Sequence, residues 1–171
     1  MATVFEIAAH ISARLGDVSR YKLHKLAYYV QAWSLVWRKQ PAFEGRIEAW
    51  TNGPVAPALQ AELVHRDSDS VLRAKPLSAE DAAHVDRVLV YYGHMSADEL
   101  VRLTHDEPPW RDARAGLGPT DRSSNEITTE AMAVYYGRMW LEADEDNTAM
   151  ETPPAFVGSV DAFERFLDAQ K

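Results

Sequence analysis

The chain contains no cysteine among its 171 residues. That absence excludes a disulfide framework, a zinc site built on cysteine and catalysis by a thiol. Long apolar runs are missing as well, because residues 1–16 mix apolar and polar side chains and no stretch approaches the roughly 20 apolar residues that span a bilayer. We therefore expect no signal peptide and no membrane segment, and we predict that the protein resides in the cytoplasm.

Familiar catalytic signatures are also missing. The sequence has no Gly-x-Ser-x-Gly elbow, no Walker loop, no Gly-x-Gly-x-x-Gly and no His-Glu-x-x-His. His94 and His105 flank one predicted helix, but no third metal ligand is evident. The adjacent acids at 106–107 could bind a cation, yet helix capping explains them and those at 80–81 better. We therefore predict a protein that is not an enzyme, with no catalytic residues, no metal and no cofactor.

Positive charge is scarce. The chain has 18 Lys and Arg against 26 Asp and Glu, a net charge of −8, which disfavours general nucleic-acid binding. The charge is uneven, however: residues 1–46 carry +4, residues 47–141 carry −6 and residues 142–171 carry −6. An early basic cluster with interleaved aromatics leaves a DNA-binding autoregulator open as an alternative. The cluster comprises Arg14, Arg20, Lys22, Lys25, Arg38, Lys39 and Arg46.

Helix-start signals dominate what is present. Thr3, Ser78 and Ser96 are each followed three positions later by an acidic residue. In this capping pattern the hydroxyl accepts a hydrogen bond from a backbone N–H of the first turn, and the acid accepts one from the backbone N–H of the hydroxyl residue. Later helices are predicted over about 58–65, 79–92, 97–105, 109–115 and 129–141. The fold class is predicted to be mainly α, a compact multi-helix single domain with a short β element around residues 47–51.

The segment Tyr21–Arg38 has apolar residues on two sides of a helical wheel. One face carries Leu23, Leu26, Val30, Trp33 and Trp37, and the nearly opposite side carries Tyr21, Tyr28 and Leu35. A helix that is apolar on two sides is usually packed between neighbours. We predict a buried central helix, and the alternative is that one stripe forms a groove for a partner.

The next segment predicts a short strand followed by a turn. Ile47, Ala49 and Thr51 alternate with Glu48 and Trp50, and residues 52–54 (Asn-Gly-Pro) then force a turn. Gly53, Pro54 and Pro57 are expected to shape this turn and the following helix start, because glycine permits positive φ and proline fixes φ. They would support a site without forming it.

The chain divides near residue 141. We predict a domain over 1–141, followed over 142–171 by an acidic linker and a short C-terminal helix. That helix is suggested by Val160, Phe163 and Phe166 or Leu167, which share one face. Whether it binds a partner or docks on the domain is left open by the pattern.

Several separated motifs resemble one known family. KLHKLAYYVQAW at 22–33 and IEAWTNGPVAP at 47–57 are similar to the signature of the Panacea domain of SocA/GepA-type antitoxins. LVRLTHDE at 100–107, WRDA at 110–113 and NEI at 125–127 resemble the second half of that domain. The resemblance covers about Val4–Trp140.

The resemblance implies an antitoxin of a toxin–antitoxin system, a family common in prophages and bacterial chromosomes. Its members are thought to neutralise unrelated toxins by direct contact, and a branch is regarded as adaptors that deliver a toxin to a Clp-type protease. We therefore predict neutralisation of a cognate protein toxin encoded by an adjacent gene, with the adaptor role as an alternative. Candidate partner-binding residues are Tyr28, Tyr29, Trp50 and Asn52. Those of the three aromatics that are exposed would act as anchors for the partner, and packing in the core is the alternative that we favour for them. Residues expected to hold the motif's structure are Leu23, Leu26, Trp33, Gly53, Pro54, Pro57 and Trp110.

Overall fold

The computed structural model describes residues 1–65 and 74–146. Its helices are α1 (Val4–Leu15), α2 (Arg20–Trp37), α3 (Pro57–His65), α4 (Ala79–Tyr92), α5 (Ala97–Asp106), α6 (Pro108–Ala113) and α7 (Thr129–Asp146). Its strands are β1 (Ile47–Trp50), β2 (Gly53–Val55) and β3 (Glu126–Ile127). The prediction of a mainly α fold with a β element near 47–51 is confirmed.

The three predicted helix caps are confirmed by their hydrogen bonds. Thr3 and Ser96 each accept a hydrogen bond from the backbone N–H three residues on, and the side chains of Glu6 and Glu99 each accept one from the backbone N–H of the cap residue. Ser78 accepts from the backbone N–H of Asp81 at 3.1 Å. These bonds satisfy first-turn N–H groups that have no partner within the helix, which explains why the helix starts could be read from the sequence.

Helix α2 is the centre of the molecule. It packs against α1, α4, α5 and α7 and against β2. Leu23, Leu26 and Trp33 are buried, as the prediction of a central helix requires. Its opposite side is only partly enclosed, since the side chain of Tyr21 at the amino end is 51% exposed.

A buried glutamine ties the link after α2 to the helix. Gln31 accepts hydrogen bonds from the backbone N–H groups of Ala42 (2.8 Å) and Phe43 (3.2 Å), and its amide donates to the carbonyl of Phe43 at 3.2 Å. The link therefore has a defined course, and the following strand begins at a defined place beside α2.

The β element is an antiparallel sheet in the order β2-β1-β3. Trp50 pairs with Gly53, so Thr51 and Asn52 form a two-residue hairpin loop. The predicted turn at 52–54 is thus shifted, and Gly53 and Pro54 belong to β2. Pro54 is tolerated because β2 is an edge strand, where a missing N–H breaks no inner ladder.

The end of α7 differs from the predicted boundary. The helix was expected to stop at about Leu141, and it continues to Asp146, so residues 142–146 extend the helix where a linker was predicted. The predicted C-terminal helix lies outside the described residues, and the division at 141 stays a prediction. Among the helices within 1–65 and 74–146, none combines the length and apolar character needed to cross a membrane.

Candidate partner-binding site

A cleft of about 690 Å³ opens where the amino-terminal half of α2 faces the β1–β2 hairpin. The start of α3 and the segment before β3 complete its walls. We call it the hairpin cleft. Its lining residues are Arg20, Tyr21, His24, Lys25, Glu48, Trp50, Thr51, Asn52, Val55, Gln60, Arg122, Ser123 and Ser124.

Two of the four predicted partner residues, Trp50 and Asn52, line the hairpin cleft. Trp50 is half-buried, and its indole N–H donates to Glu48 Oε2 at 2.7 Å. Asn52 is exposed in the hairpin loop. The sequence-based prediction therefore finds one wall of this cleft, although whether these residues contact a partner stays a prediction.

Side chains from α6 and the residue after it hold the hairpin in place. The indole N–H of Trp110 donates to the carbonyl of Trp50 at 2.9 Å. Arg114, buried, donates to the carbonyl of Ala49 at 3.0 Å and to that of Asp121 at 2.8 Å. The same guanidinium thus fastens the loop that carries Arg122 to strand β1, so two walls of the cleft are set by one residue.

Lys25 lies in the cleft lining and is fully buried. Its ammonium donates to the carbonyl of Pro54 at 3.0 Å, and within the described part of the chain no carboxylate pairs with it. Burial lowers the pKa of Lys25 to about 7, because a desolvated ammonium loses its hydration without gaining a counter-charge. A buried lysine without an acidic partner is costly, so it is a candidate for binding something.

His24 lies beside Lys25 in the same wall. Its Nε2 lies 3.0 Å from Gln60 Oε1, while its buried Nδ1 has no hydrogen-bond partner within 1–65 and 74–146. Burial, with smaller contributions from the charges of Lys25 and Arg20, lowers the pKa of His24 to about 4. The ring is therefore neutral at physiological pH and keeps an unused polar atom near the cleft.

Tyr28 and Tyr29 are not on the surface, which agrees with packing in the core and means that they are not exposed anchors. Both side chains are buried, and the hydroxyl of Tyr29 donates to Glu107 Oε1 at 3.1 Å. The hydroxyl of Tyr136 donates to Glu107 Oε2 at 2.6 Å and lies 3.1 Å from that of Tyr28. Glu107, a buried acid between α5 and α6, supplies hydrogen-bond partners for these hydroxyls, so they are not left unpaired in the core.

That buried acid is itself unusual. Burial raises the pKa of Glu107 to about 8, so its carboxyl is largely protonated at neutral pH. The prediction that the acids at 106–107 cap the next helix holds only in part. Glu107 occupies the cap position of α6 but its side chain makes no cap hydrogen bond there.

The remaining predicted residues are structural. Gly53 has φ +97°, a conformation that favours glycine, and Pro57 is the first residue of α3, where proline costs no hydrogen bond. Trp110 is buried and stacks on the ring of His105 at 3.9 Å. Within the described ranges, no group of three or more His, Asp and Glu side chains could hold a metal ion.

The early basic cluster does not form one surface. Arg14 pairs with Asp86, Arg38 pairs with Asp81 at 2.8 Å, and the Lys22 ammonium donates to the carbonyl of Gly93 at the end of α4 at 2.7 Å. Three of its seven members thus serve packing between helices. This arrangement weakens the case for a DNA-binding track.

Sequence reasoning did not assign the hairpin cleft to Arg20, His24, Lys25 or Arg122. A signal existed for Lys25, which stands between Leu23 and Leu26 in a helix that is apolar on two sides. No local signal marks Arg122, which reaches the cleft only because Arg114 fastens its loop to β1.

Comparisons with known proteins agree with these motifs. The family described as "Antitoxin SocA-like, Panacea domain" matches residues 23–111, which include α2, the hairpin and α3 to α5. The chain is 28% identical over 117 residues to "Antitoxin SocA" of Caulobacter vibrioides (strain NA1000 / CB15N), an alignment that covers 59% of this chain and 62% of that relative. The alignment thus spans less than two thirds of the relative's length. No solved structure matches.

Proposed function

Because this chain belongs to the antitoxin SocA-like family with a Panacea domain, we propose that it is the antitoxin of a toxin–antitoxin system. It neutralises its cognate toxin, the product of an adjacent gene, by direct protein–protein binding in the cytoplasm. It performs no catalysis of its own. The observation that carries this proposal is the family match over residues 23–111.

The hairpin cleft is the surface we assign to the toxin. It is formed largely by residues of the family-matched region, and it exposes part of an aromatic side chain, Trp50, next to polar groups. Aromatic residues surrounded by polar rims commonly dominate the energy of protein interfaces. Tyr28 and Tyr29 support this surface indirectly, as core residues that hold α2 in place.

The first experiment is co-expression with the adjacent gene, with growth and complex formation as readouts. Wild-type protein is expected to restore growth and to retain the toxin in a pull-down. Trp50→Ala is expected to weaken the complex by ~2 kcal/mol, about thirtyfold, since truncated interface aromatics typically cost this much. Val90→Ala is the matched control, because Val90 is 70% exposed on α4 and lies outside the cleft.

Each result has a defined meaning. A folded Trp50→Ala protein that binds the toxin as tightly as the wild type removes the hairpin cleft from the interface. Growth restored without a stable complex, together with a shortened toxin half-life, favours the adaptor that delivers the toxin to a Clp-type protease. A mobility shift of its own promoter DNA at low salt favours the autoregulator.

A further inference from the structure

We infer that the hairpin cleft receives an acidic segment of the partner polypeptide, whose carboxylates meet the positive charge of Arg20, Lys25 and Arg122. The inference rests on the proposed function and specifies the chemistry of the partner. It follows from a charge imbalance in the cleft that the described residues, 1–65 and 74–146, do not correct.

The cleft is lined by three basic residues, two on α2 and one on the loop before β3. Arg20 is exposed at the first turn of α2, Arg122 is exposed on the loop before β3, and Lys25 lies buried in the lining. Across the described ranges, none of the three forms an ion pair with a carboxylate. They therefore give the cleft positive charge, permanent on the two arginines and partial on Lys25 near neutral pH, that has no counter-ion among the residues at 1–65 and 74–146.

The single acid of the lining is already neutralised. Glu48 is 3% exposed, and its Oε1 lies 2.5 Å from Arg46 Nη2 while its Oε2 accepts the Trp50 indole N–H at 2.7 Å. Arg46 is not one of the residues that line the cleft. Glu48 consequently cannot also serve the three cations, and the cleft keeps a surplus of positive charge in a protein of net charge −8.

A neutral polar atom in the cleft wall also lacks a hydrogen-bond partner among the described residues. His24 is 4% exposed and its Nδ1 makes no hydrogen bond. Buried polar atoms without partners are rare in native proteins and call for a ligand or an ordered water.

A polypeptide fits this cleft better than a nucleic acid does. Phosphate backbones need a continuous track of cations, whereas Arg14, Lys22 and Arg38 are engaged elsewhere in the fold. The half-exposed ring of Tyr21 and the indole of Trp50 offer apolar contacts beside the charges. A few carboxylates flanked by apolar side chains would satisfy both features.

The test begins with a defined probe and the full chain. Fluorescein-labelled hexaglutamate is titrated at about 20 mM salt, where exposed charges are weakly screened; hexaglutamine and a 20-base-pair DNA duplex are titrated alongside. The variants are Arg20→Gln, Arg122→Gln and their combination, with Arg102→Gln on α5 as the matched exposed control. Hexaglutamate is expected to bind, and its Kd to rise about tenfold in the double variant and with added salt.

The same variants are then assayed against the product of the adjacent gene. The double variant is expected to weaken retention of that product about tenfold, mainly through slower association, and Arg102→Gln to leave it unchanged. Hexaglutamate that fails to bind, or binds the double variant equally well, overturns the inference. So does DNA that binds more tightly than hexaglutamate through the same arginines.

Failure of the proposed function is recognised separately. If wild-type protein restores growth and retains the toxin while the double variant does so equally well, the acidic-segment inference is wrong and the antitoxin role stands. If wild-type protein neither restores growth nor retains the product, the antitoxin proposal fails. The peptide titration still decides the cleft's preference for acidic chains.

Discussion

Gly53 lies where the hairpin passes closest to the buried Lys25. A Cβ at this position would lie 2.4 Å from Lys25 Cε and 2.9 Å from Thr104 Oγ1. Lys25 is fully buried and its ammonium donates to the carbonyl of Pro54, so moving its side chain away from an added Cβ would disturb that hydrogen bond. Glycine is therefore needed here for its backbone conformation and for the room it leaves.

The Gly53→Ala variant is expected to lower the free energy of unfolding by ~3 kcal/mol, since strain at positive φ and overpacking each cost about 1–3 kcal/mol. Gly45→Ala is the matched control, because Gly45 has φ +115° and no atom within 4 Å of an added Cβ. It should lose only the strain. Urea denaturation measures both, and equal losses would show that the contact with Lys25 is unimportant.

At the scale of the element, helix α5 depends on its cap. Ser96 Oγ accepts from the backbone N–H of Glu99 at 3.2 Å, and the backbone N–H of Ser96 donates to Glu99 Oε2 at 2.7 Å. Both partners are exposed, so the two bonds can be removed without opening the core. Helix α5 in turn carries Thr104 against the hairpin.

Ser96→Ala is expected to destabilise the protein by ~1 kcal/mol, the usual loss for a serine cap. Ser12→Ala is the control, because Ser12 lies inside α1 and alanine is the better helix former there. It should leave the free energy of unfolding unchanged or raise it by a few tenths of a kcal/mol. A Ser96→Ala protein as stable as the wild type in urea would mean that the cap is dispensable.

At the scale of the whole molecule, Glu107 joins the helices around the core. It lies between α5 and α6, and its carboxyl accepts hydrogen bonds from Tyr29 on α2 and Tyr136 on α7. Its burial raises its pKa from the ordinary value of 4.5 to about 8. The folded state therefore holds a proton that the unfolded state releases above about pH 4.5.

Because the pKa of Glu107 is raised in the folded state, the contribution of its carboxyl to the free energy of unfolding is full below about pH 4.5. This contribution is lost as the pH rises through about 8. The stability advantage of the wild type over Glu107→Gln is expected to shrink by ~3 kcal/mol between pH 5 and 8, since one pKa unit is worth about 1.4 kcal/mol. Lys25 and His24 titrate in both proteins, so their effects cancel in the difference. A stability difference for Glu107→Gln that stays constant between pH 5 and 8 would mean that the carboxyl is ionised in the core.

Much of the fold was readable from the chain alone. Caps at Thr3, Ser78 and Ser96 and the two-sided apolar pattern of α2 rest on interactions within a few residues, so local sequence determines them. The alternation over 47–51 predicted β1 for the same reason. β2 and β3 escaped prediction because three and two residues are too short to show a period.

The candidate site depended on the tertiary structure. Trp50 and Asn52 were identified by the resemblance, but the burial of Tyr28 and Tyr29 was decided by Glu107, 78 residues beyond Tyr29. Arg122 reaches the cleft of Lys25 through the contact of Arg114 with Ala49, which lies 65 residues away. The sequence by itself determined the helices, the first strand and the family, because these depend on the local spacing of residues. Only the tertiary structure decided which charges of the cleft remain without a partner, because that depends on contacts between distant segments.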